Sequence, residues 1–471
     1  MGLAHLVKAH IMAPAYRHLA QVAPEQAEQL KSGLKHLWNG TCPPLPKAGV
    51  CSKQRRTSSP CLFVDTTQLT IINSGTGIQR VVVSLLLNLS LPGYELVPVQ
   101  AYQGMVLTSW DNYRRLRTER KSRISRIVKG LGQRARRALH GAEAEREQEI
   151  SPRQGDILFL LDSSWEYAEE FGRLMADMQA MGCKAYGLVH DFIPWLYAET
   201  VQDKLTLEAF ASWHAMLLRE ADGLICNSRA TATQAWELLQ AHDCHWYEEG
   251  LRRQRPCEVH YFPMGADLPV AAPVARQELS SFVAGGRPTF LMAGTVEVRK
   301  DHVTVLRALA AVLRAKPDSR MQLLIIGHDG WKNEAVKEML SEDKVLRQHV
   351  LWLRDAGDGE LVWAYRNVSA LIMASLTEGY GLPVVEAAHF GRPLILSDIP
   401  VFHEVSQERA EFFPVGDAEA LARLLLTWEE REHPDASGLK LHTWQEAARV
   451  VGSILLGCRE PYRIYEEAGQ A

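Results

Sequence analysis

From Thr289 onward, short β-branched runs alternate with helical patterns: TFLMAGT, VTVLRALAAVLR, QLLIIG, EAVKEML, VLWLRD, ELVWAYRN, ALIMAS, LPVVEAA and PLILSD. Parallel strands need a crossover connection, usually a helix, and bury both faces, so this alternation specifies βαβ units on a parallel sheet. The same rhythm runs from Cys61 to about Gly265 through CLFVDTT, GIQRVVVSLLLNL, YELVPVQAY, DILFLLD, KAYGLVHD, GLICNS and EVHYFP, with long helices from about Glu166 and up to about Ala221. Between the two stretches, GADLPVAAPVARQELSSFVAGGRP is rich in Ala, Pro and Gly and reads as an interdomain linker. The expected fold is α/β, with two Rossmann-like doubly wound domains, residues 61–280 and 281–471. Facing each other, they make a cleft at the carboxyl ends of both sheets, where open α/β sheets bind ligands.

Two segments stand outside the pattern. Residues 1–60 read as an amphipathic helical extension with a Pro-rich connector, and residues from about 105 to 150 as a basic insertion. In the run RRLRTERKSRISRIVKGLGQRARR, from Arg114 to Arg137, Glu119 is the only acid. Leu116, Ile124, Ile127, Val128, Leu131 and Leu139 give it the makings of a cationic amphipathic face suited to an anionic membrane surface, with a solvated helix as the alternative. Nucleic acid is not the expected partner: the net charge is -4, and no aromatic residues interleave the run after Tyr113. The first residues mix His, Lys and Arg with apolar side chains, unlike a secretory signal, and no run of 18 uncharged apolar residues occurs. The expectation is a cytoplasmic protein, at most peripheral on the inner face of the membrane. His242, Cys244, His245, Cys257 and His260 have zinc-ligand types but irregular spacing and read as a polar surface loop, so no metal is expected.

The segment with the most chemistry is SLTEGYGLPVVEAAHFGRPLILSD, Ser375 to Asp398. It places Glu378 on a glycine-containing loop after a strand and Glu386 early in the next helix, with Pro383 in the first turn and Gly391 as the stop. Gly379 and Gly381 permit close backbone approach, and a helix N-terminus favours phosphate. Carboxylates beside a phosphate site are repelled unless they face hydroxyls, which they accept well; the combination describes a nucleotide sugar. In the N-terminal half, SGTGIQRVV puts Gly75 and Gly77 between a strand and a helix. As a dinucleotide fingerprint it reads GxGxxR, with Arg80 in place of the third glycine and Glu95 further on, which keeps an oxidoreductase open as an alternative.

The Glu-x7-Glu segment EGYGLPVVE resembles the signature of the retaining glycosyltransferase family 4, of GT-B fold, and the similarity extends over most of the C-terminal half. The resemblance implies that Glu386 holds the donor ribose and Glu378 the transferred sugar. AGTVEVRKDH is similar to the family's strand-loop segment carrying a basic pair, which implies Arg299 and Lys300 on the diphosphate, where fixed cations replace a metal. Gly379, Tyr380, Gly381, Leu382 and Pro383, with Gly75 and Gly77, are implied to line the donor. DTTQLTIINSGTGIQRVV and VHDFIP resemble bacterial polysaccharide mannosyl- and rhamnosyl-type members. By that resemblance His190 contacts the transferred sugar, the alternative being a His bonded within a turn, and Asp162 is a further candidate. The implied activity is metal-independent hexose transfer, with mannose from GDP-mannose as donor sugar, to a glycan or lipid-linked acceptor in surface polysaccharide synthesis, without a cofactor. A catalytically silent GT-B scaffold is the other alternative.

Overall fold

The computed structural model describes residues 59–71, 77–102, 105–108, 150–201, 204–241, 255–268 and 272–465. Gly75, the 1–60 extension up to residue 58, the basic run, and His242, Cys244 and His245 lie outside the described residues.

The N-terminal domain contributes β1 (Cys61–Asp65), β2 (Glu95–Tyr102), β3 (Met105–Thr108), β4 (Ile157–Leu160), β5 (Lys184–Val189), β6 (Gly223–Cys226) and β7 (Cys257–Tyr261). The C-terminal domain contributes β8 (Thr289–Ala293), β9 (Gln322–Ile326), β10 (Val350–Leu353), β11 (Ala370–Met373), β12 (Leu394–Ser397) and β13 (Glu411–Phe413). Its sheet has the order β10-β9-β8-β11-β12-β13 and all of its pairings are parallel. In the N-terminal sheet the order β7-β6-β5-β4-β1-β2-β3 is parallel except for β3, which runs antiparallel to β2. Both orders reverse direction once, between β1 and β4 and between β8 and β11, as in doubly wound folds whose ligands sit at that switch. The expected two-domain α/β architecture is observed.

Two boundaries differ from the sequence expectation. A last strand, β14 (Arg463–Tyr465), adds antiparallel to β7, so the chain returns to the N-terminal sheet and 281–471 is not one continuous domain. The helix Trp444–Leu455 makes that return. It starts with a capping box, Glu446 N donating to Thr443 Oγ1 (3.2 Å) and Thr443 N to Glu446 Oε2 (2.8 Å). Its buried stripe, Trp444, Ala447, Ala448, Val451 and Leu455, follows helical spacing and packs on the N-terminal helix Gly77–Asn88. Full burial of one such Val or Leu contributes about 1.5–3 kcal/mol, enough to fix the crossing. The linker is also more ordered than its composition implies: Gln277–Val283 is helical, and its Leu279 is fully buried in the apolar cluster shared by the two domains. The basic insertion starts later than about 105, because Met105–Thr108 is strand. Among the described residues, no helix is long and apolar enough to cross a membrane.

Candidate active site

The C-terminal switch point brings together the loops after β8 and β11. The first begins at Gly294, whose φ of 125° suits glycine alone, and tightens into a 3-10 turn at Val298–Lys300. Asp301, at φ 47°, then caps the helix His302–Ala315 by accepting from Thr304 N (3.2 Å) and Thr304 Oγ1 (2.6 Å). Leu376 N donates to Arg299 O at 2.9 Å, which ties the turn to the second loop.

Arg299, Lys300 and Glu378 meet there. Arg299 Nη1 donates to Glu378 Oε2 (2.8 Å) and to Thr377 O (3.1 Å), and its Nη2 to Glu297 Oε1 (2.5 Å). Lys300 Nζ bonds Glu378 Oε1, which also accepts from Ser375 Oγ at 2.8 Å. Burial pushes the Glu378 carboxyl upward, but Arg299 and then Lys300 outweigh it and hold it down at about 2. Burial likewise works against the Arg299 charge, which Glu378, Glu297 and Asp191 nevertheless keep above its ordinary value. The Glu378 side chain, only 7% exposed, is therefore turned onto the cations.

The rest of the segment divides between ligand side and scaffold. Gly381 is the left-handed N-cap of the helix Leu382–His389, at φ 93°, where an added Cβ would lie 2.8 Å from the Phe402 ring. Pro383 occupies the first turn, and Gly391, at φ 63°, follows the helix end. Gly379 admits protein backbone: an added Cβ would stand 2.1 Å from His190 O. Its own carbonyl accepts from Ser228 Oγ (2.7 Å) and Thr231 Oγ1 (3.2 Å), so the loop is pinned to the opposite domain. Tyr380 and Leu382, expected to line the donor, are buried in the shared core, and Tyr380 bonds the Met264 backbone beside the linker. Leu382 opens this short helix and Tyr380 precedes its cap, and both side chains pack inward.

Glu386 is 2% exposed, and its two oxygens accept from Arg80 Nη2 (2.5 Å) and Tyr365 Oη (2.8 Å). Arg80 belongs to the N-terminal helix Gly77–Asn88, so this pair crosses the cleft. Glu404 also crosses: its carboxylate accepts from Arg229 N (2.7 Å) and Ala230 N (2.9 Å), satisfying free donors at the start of the helix Arg229–Ala241. Gly77 is the exposed first residue of its helix.

On the N-terminal wall, His190 and Asp191 follow β5. Burial lowers His190 to about 4, keeping the ring neutral, and its Nε2 is sealed without a partner among the described residues, so that nitrogen is not bonded within a turn. With Asp162, Trp165, Asp191, Trp213 and His214 it lines a small pocket. Asp162 accepts from Leu69 N and Ser163 N, each at 2.8 Å, and Asp65 from Thr67 Oγ1 (2.6 Å) and Ser164 Oγ (2.7 Å). Burial raises both acids, and the Asp65 charge raises Asp162 further.

The sequence reading missed Glu297, Ser375, Tyr365, Glu404 and the reach of Arg80. Glu297 stands beside the basic pair and Arg80 in the glycine loop, so both carried a local signal. Tyr365 and Glu404 carried none, because each reaches its partner through tertiary packing.

Residues 276–450 match the family of group 1 glycosyl transferases. The chain is 31% identical over 405 residues to the serotype-specific mannosyltransferase WbdA of Escherichia coli, a match covering 83% of this chain and 46% of WbdA. The chain thus spans less than half the length of that relative. The N-terminal domain of a Candida albicans trehalose-6-phosphate phosphatase superposes with a TM-score of 0.52 at 12% identity, over 88% of this chain and 100% of that one. HepE of Anabaena, solved with UDP and glucose, superposes with a TM-score of 0.50 at 13% identity, over 85% and 97%. The two facing parallel-sheet domains have the GT-B fold, and residues 276–450 carry a glycosyl transferase group 1 domain.

Proposed function

We propose that this chain is a retaining, metal-independent hexosyltransferase that moves mannose from GDP-mannose to a glycan or lipid-linked acceptor in bacterial surface polysaccharide synthesis. The observation that carries this reading is the meeting of Arg299, Lys300 and Glu378 at the switch point of the C-terminal sheet, against His190 and Asp191 of the other domain. The similarity to WbdA, a serotype-specific mannosyltransferase, supports the sugar and the surface glycan. Arg80 is engaged with Glu386, which disfavours a dinucleotide loop, and the intact cation pair disfavours a silent scaffold.

In this reading the donor diphosphate takes Arg299 and Lys300 from Glu378, whose carboxylate then turns to the sugar hydroxyls. The cations offset charge growing on the leaving diphosphate, preorganised in a site largely closed to water. Glu386 accepts from the ribose. The acceptor attacks the donor face that the diphosphate leaves, and a donor phosphate oxygen takes its proton, so no protein nucleophile is needed. His190, kept neutral by burial, stands just after β5 on the sugar side of the cleft. The protein works in the cytoplasm, at the inner membrane face where the basic run meets anionic lipid.

Transfer of labelled mannose from GDP-mannose to mannose-terminated oligosaccharides, in EDTA, with the product anomer assigned by NMR, tests this. An α-linked product formed without metal is expected. A β-linked product, or activity restored only by magnesium or manganese, would contradict the mechanism.

A further inference from the structure

Arg80 stands where a dinucleotide loop would carry glycine, and the reading of the donor site leaves it without a role. In the fold it sits at the start of the N-terminal helix Gly77–Asn88, and its guanidinium reaches Glu386 in the other domain. Each partner is differently placed: the Arg80 side chain is 28% exposed and that of Glu386 2%. An exposed ion pair contributes little, but removing the cation from a buried carboxylate is costly, so the geometry of Glu386 depends on Arg80.

The contacts leave acceptor capacity on the carboxylate. A carboxylate oxygen has two acceptor positions. Arg80 uses one on Oε1, and Tyr365 one on Oε2. Neither partner uses the second acceptor position on each oxygen, and the side chain, buried in this arrangement, is held from two directions. Two fixed acceptors side by side match the vicinal hydroxyls of a ribose.

Resting on the assignment of Glu386 to the ribose, we propose that Arg80 is a positioning residue for nucleotide recognition: it is supplied by the opposite domain and completes the ribose-binding carboxylate only when the cleft is closed. Ribose recognition and closure are then one linked equilibrium, because a ligand that uses both hydroxyls favours the closed arrangement by the difference in its affinity for the two states. The contact is a single Nη2–Oε1 bond, so Lys, an ammonium on a flexible stem, should hold the carboxylate orientation only in part.

The test uses the full chain and calorimetric titration with GDP and 2′,3′-dideoxy-GDP, with the UDP and ADP pairs run alongside. Wild type, Arg80→Gln, Arg80→Lys and Glu386→Gln are compared, with melting temperatures to establish folding. Wild type should prefer the diol form by at least about tenfold, the scale of hydrogen bonds to a charged group. Arg80→Gln should lose most of that preference, approaching Glu386→Gln, while dideoxy affinity stays within about twofold of wild type; Arg80→Lys should fall between. Full diol preference in Arg80→Gln, or equal loss for both nucleotides, overturns the proposal. Failure of wild type to bind any of these nucleotides refutes the donor reading itself, and the proposal falls with it. A diol preference that survives Glu386→Gln refutes the ribose assignment separately.

Discussion

Glu378 lies between Arg299 and Lys300, its Oε2 2.8 Å from the Arg299 guanidinium, and so covers with its own charge the two cations a diphosphate would use. In the proposed reading a bound donor displaces it. Neutralising the carboxylate should therefore strengthen diphosphate binding and weaken catalysis. Glu378→Gln is expected to bind the nucleoside diphosphate at least about tenfold more tightly, a gain of ~1.4 kcal/mol. Turnover should fall by about 10² to 10³, the usual loss for one oriented catalytic partner. Calorimetry beside steady-state rates checks both, and a parallel loss of affinity and turnover would contradict the displacement.

Gly379 leaves no space for a side chain, because an added Cβ would stand 2.1 Å from His190 O. Gly379→Ala should force the domains apart at that contact. The expected outcome is a larger radius of gyration in solution scattering and a turnover lower by more than about tenfold, as positioning across the cleft is lost. The C-terminal sheet should remain folded by circular dichroism. An unchanged radius with unchanged turnover would show that this contact does not hold the cleft closed.

Asp65 and Asp162 give stability an unusual pH dependence. Burial, and for Asp162 also the neighbouring charge, raises them to about 6 and about 7, against about 3.9 for an unfolded Asp. Between those values the native state holds more protons than the unfolded one, so stability falls as pH rises from about 4 through about 7. Asp65→Asn keeps an acceptor for Thr67 and can donate to Ser164, the two side-chain partners of this carboxylate. Its fall in stability over that window should be shallower, so its melting point should gain on wild type as pH rises. Parallel melting-point curves would remove the acid pair as the cause.

The basic run from Arg114 to Arg137 predicts binding to anionic vesicles from sequence alone. Replacing Arg134, Arg136 and Arg137 with Glu should reduce sedimentation with such vesicles and leave nucleotide affinity intact, and salt should release the wild type. Binding indifferent to both salt and charge reversal would reject a membrane role for the run.

Most of the fold was legible because its signal is local and repeated. Apolar strand-helix alternation gave both sheets, and Pro383, Gly381 and Gly391 marked the helix around Glu386. Arg299, Lys300 and Glu378 were each singled out, on loops after strands, but their direct pairing was not foreseen: the sequence reading put the cations on the diphosphate and Glu378 on the sugar. What stayed hidden depends on long-range packing. The return of Trp444–Leu455 and β14 to the first domain reads locally like any other amphipathic helix and short strand. Tyr380 and Leu382 were expected in the donor loop by resemblance, and the burial of their side chains in the shared core has no local sequence signal. The Arg80–Glu386 and Glu404–helix contacts join residues far apart in the chain, and neither has a spacing that a sequence could announce.

Thermal denaturation of the wild type against UDP, GDP and ADP sugars, their free diphosphates, and NAD tests most directly that this cleft is a sugar-nucleotide site. A ligand that binds only the native state stabilises it by about 2.7 kcal/mol at a hundred times its Kd, so a specific donor raises the melting point in a saturable way. The expected result is a rise with GDP-mannose and GDP, abolished when Arg299 and Lys300 are both replaced by Ala, and no rise with NAD. A rise with NAD alone, or a GDP-mannose response that persists without Arg299 and Lys300, would contradict the account.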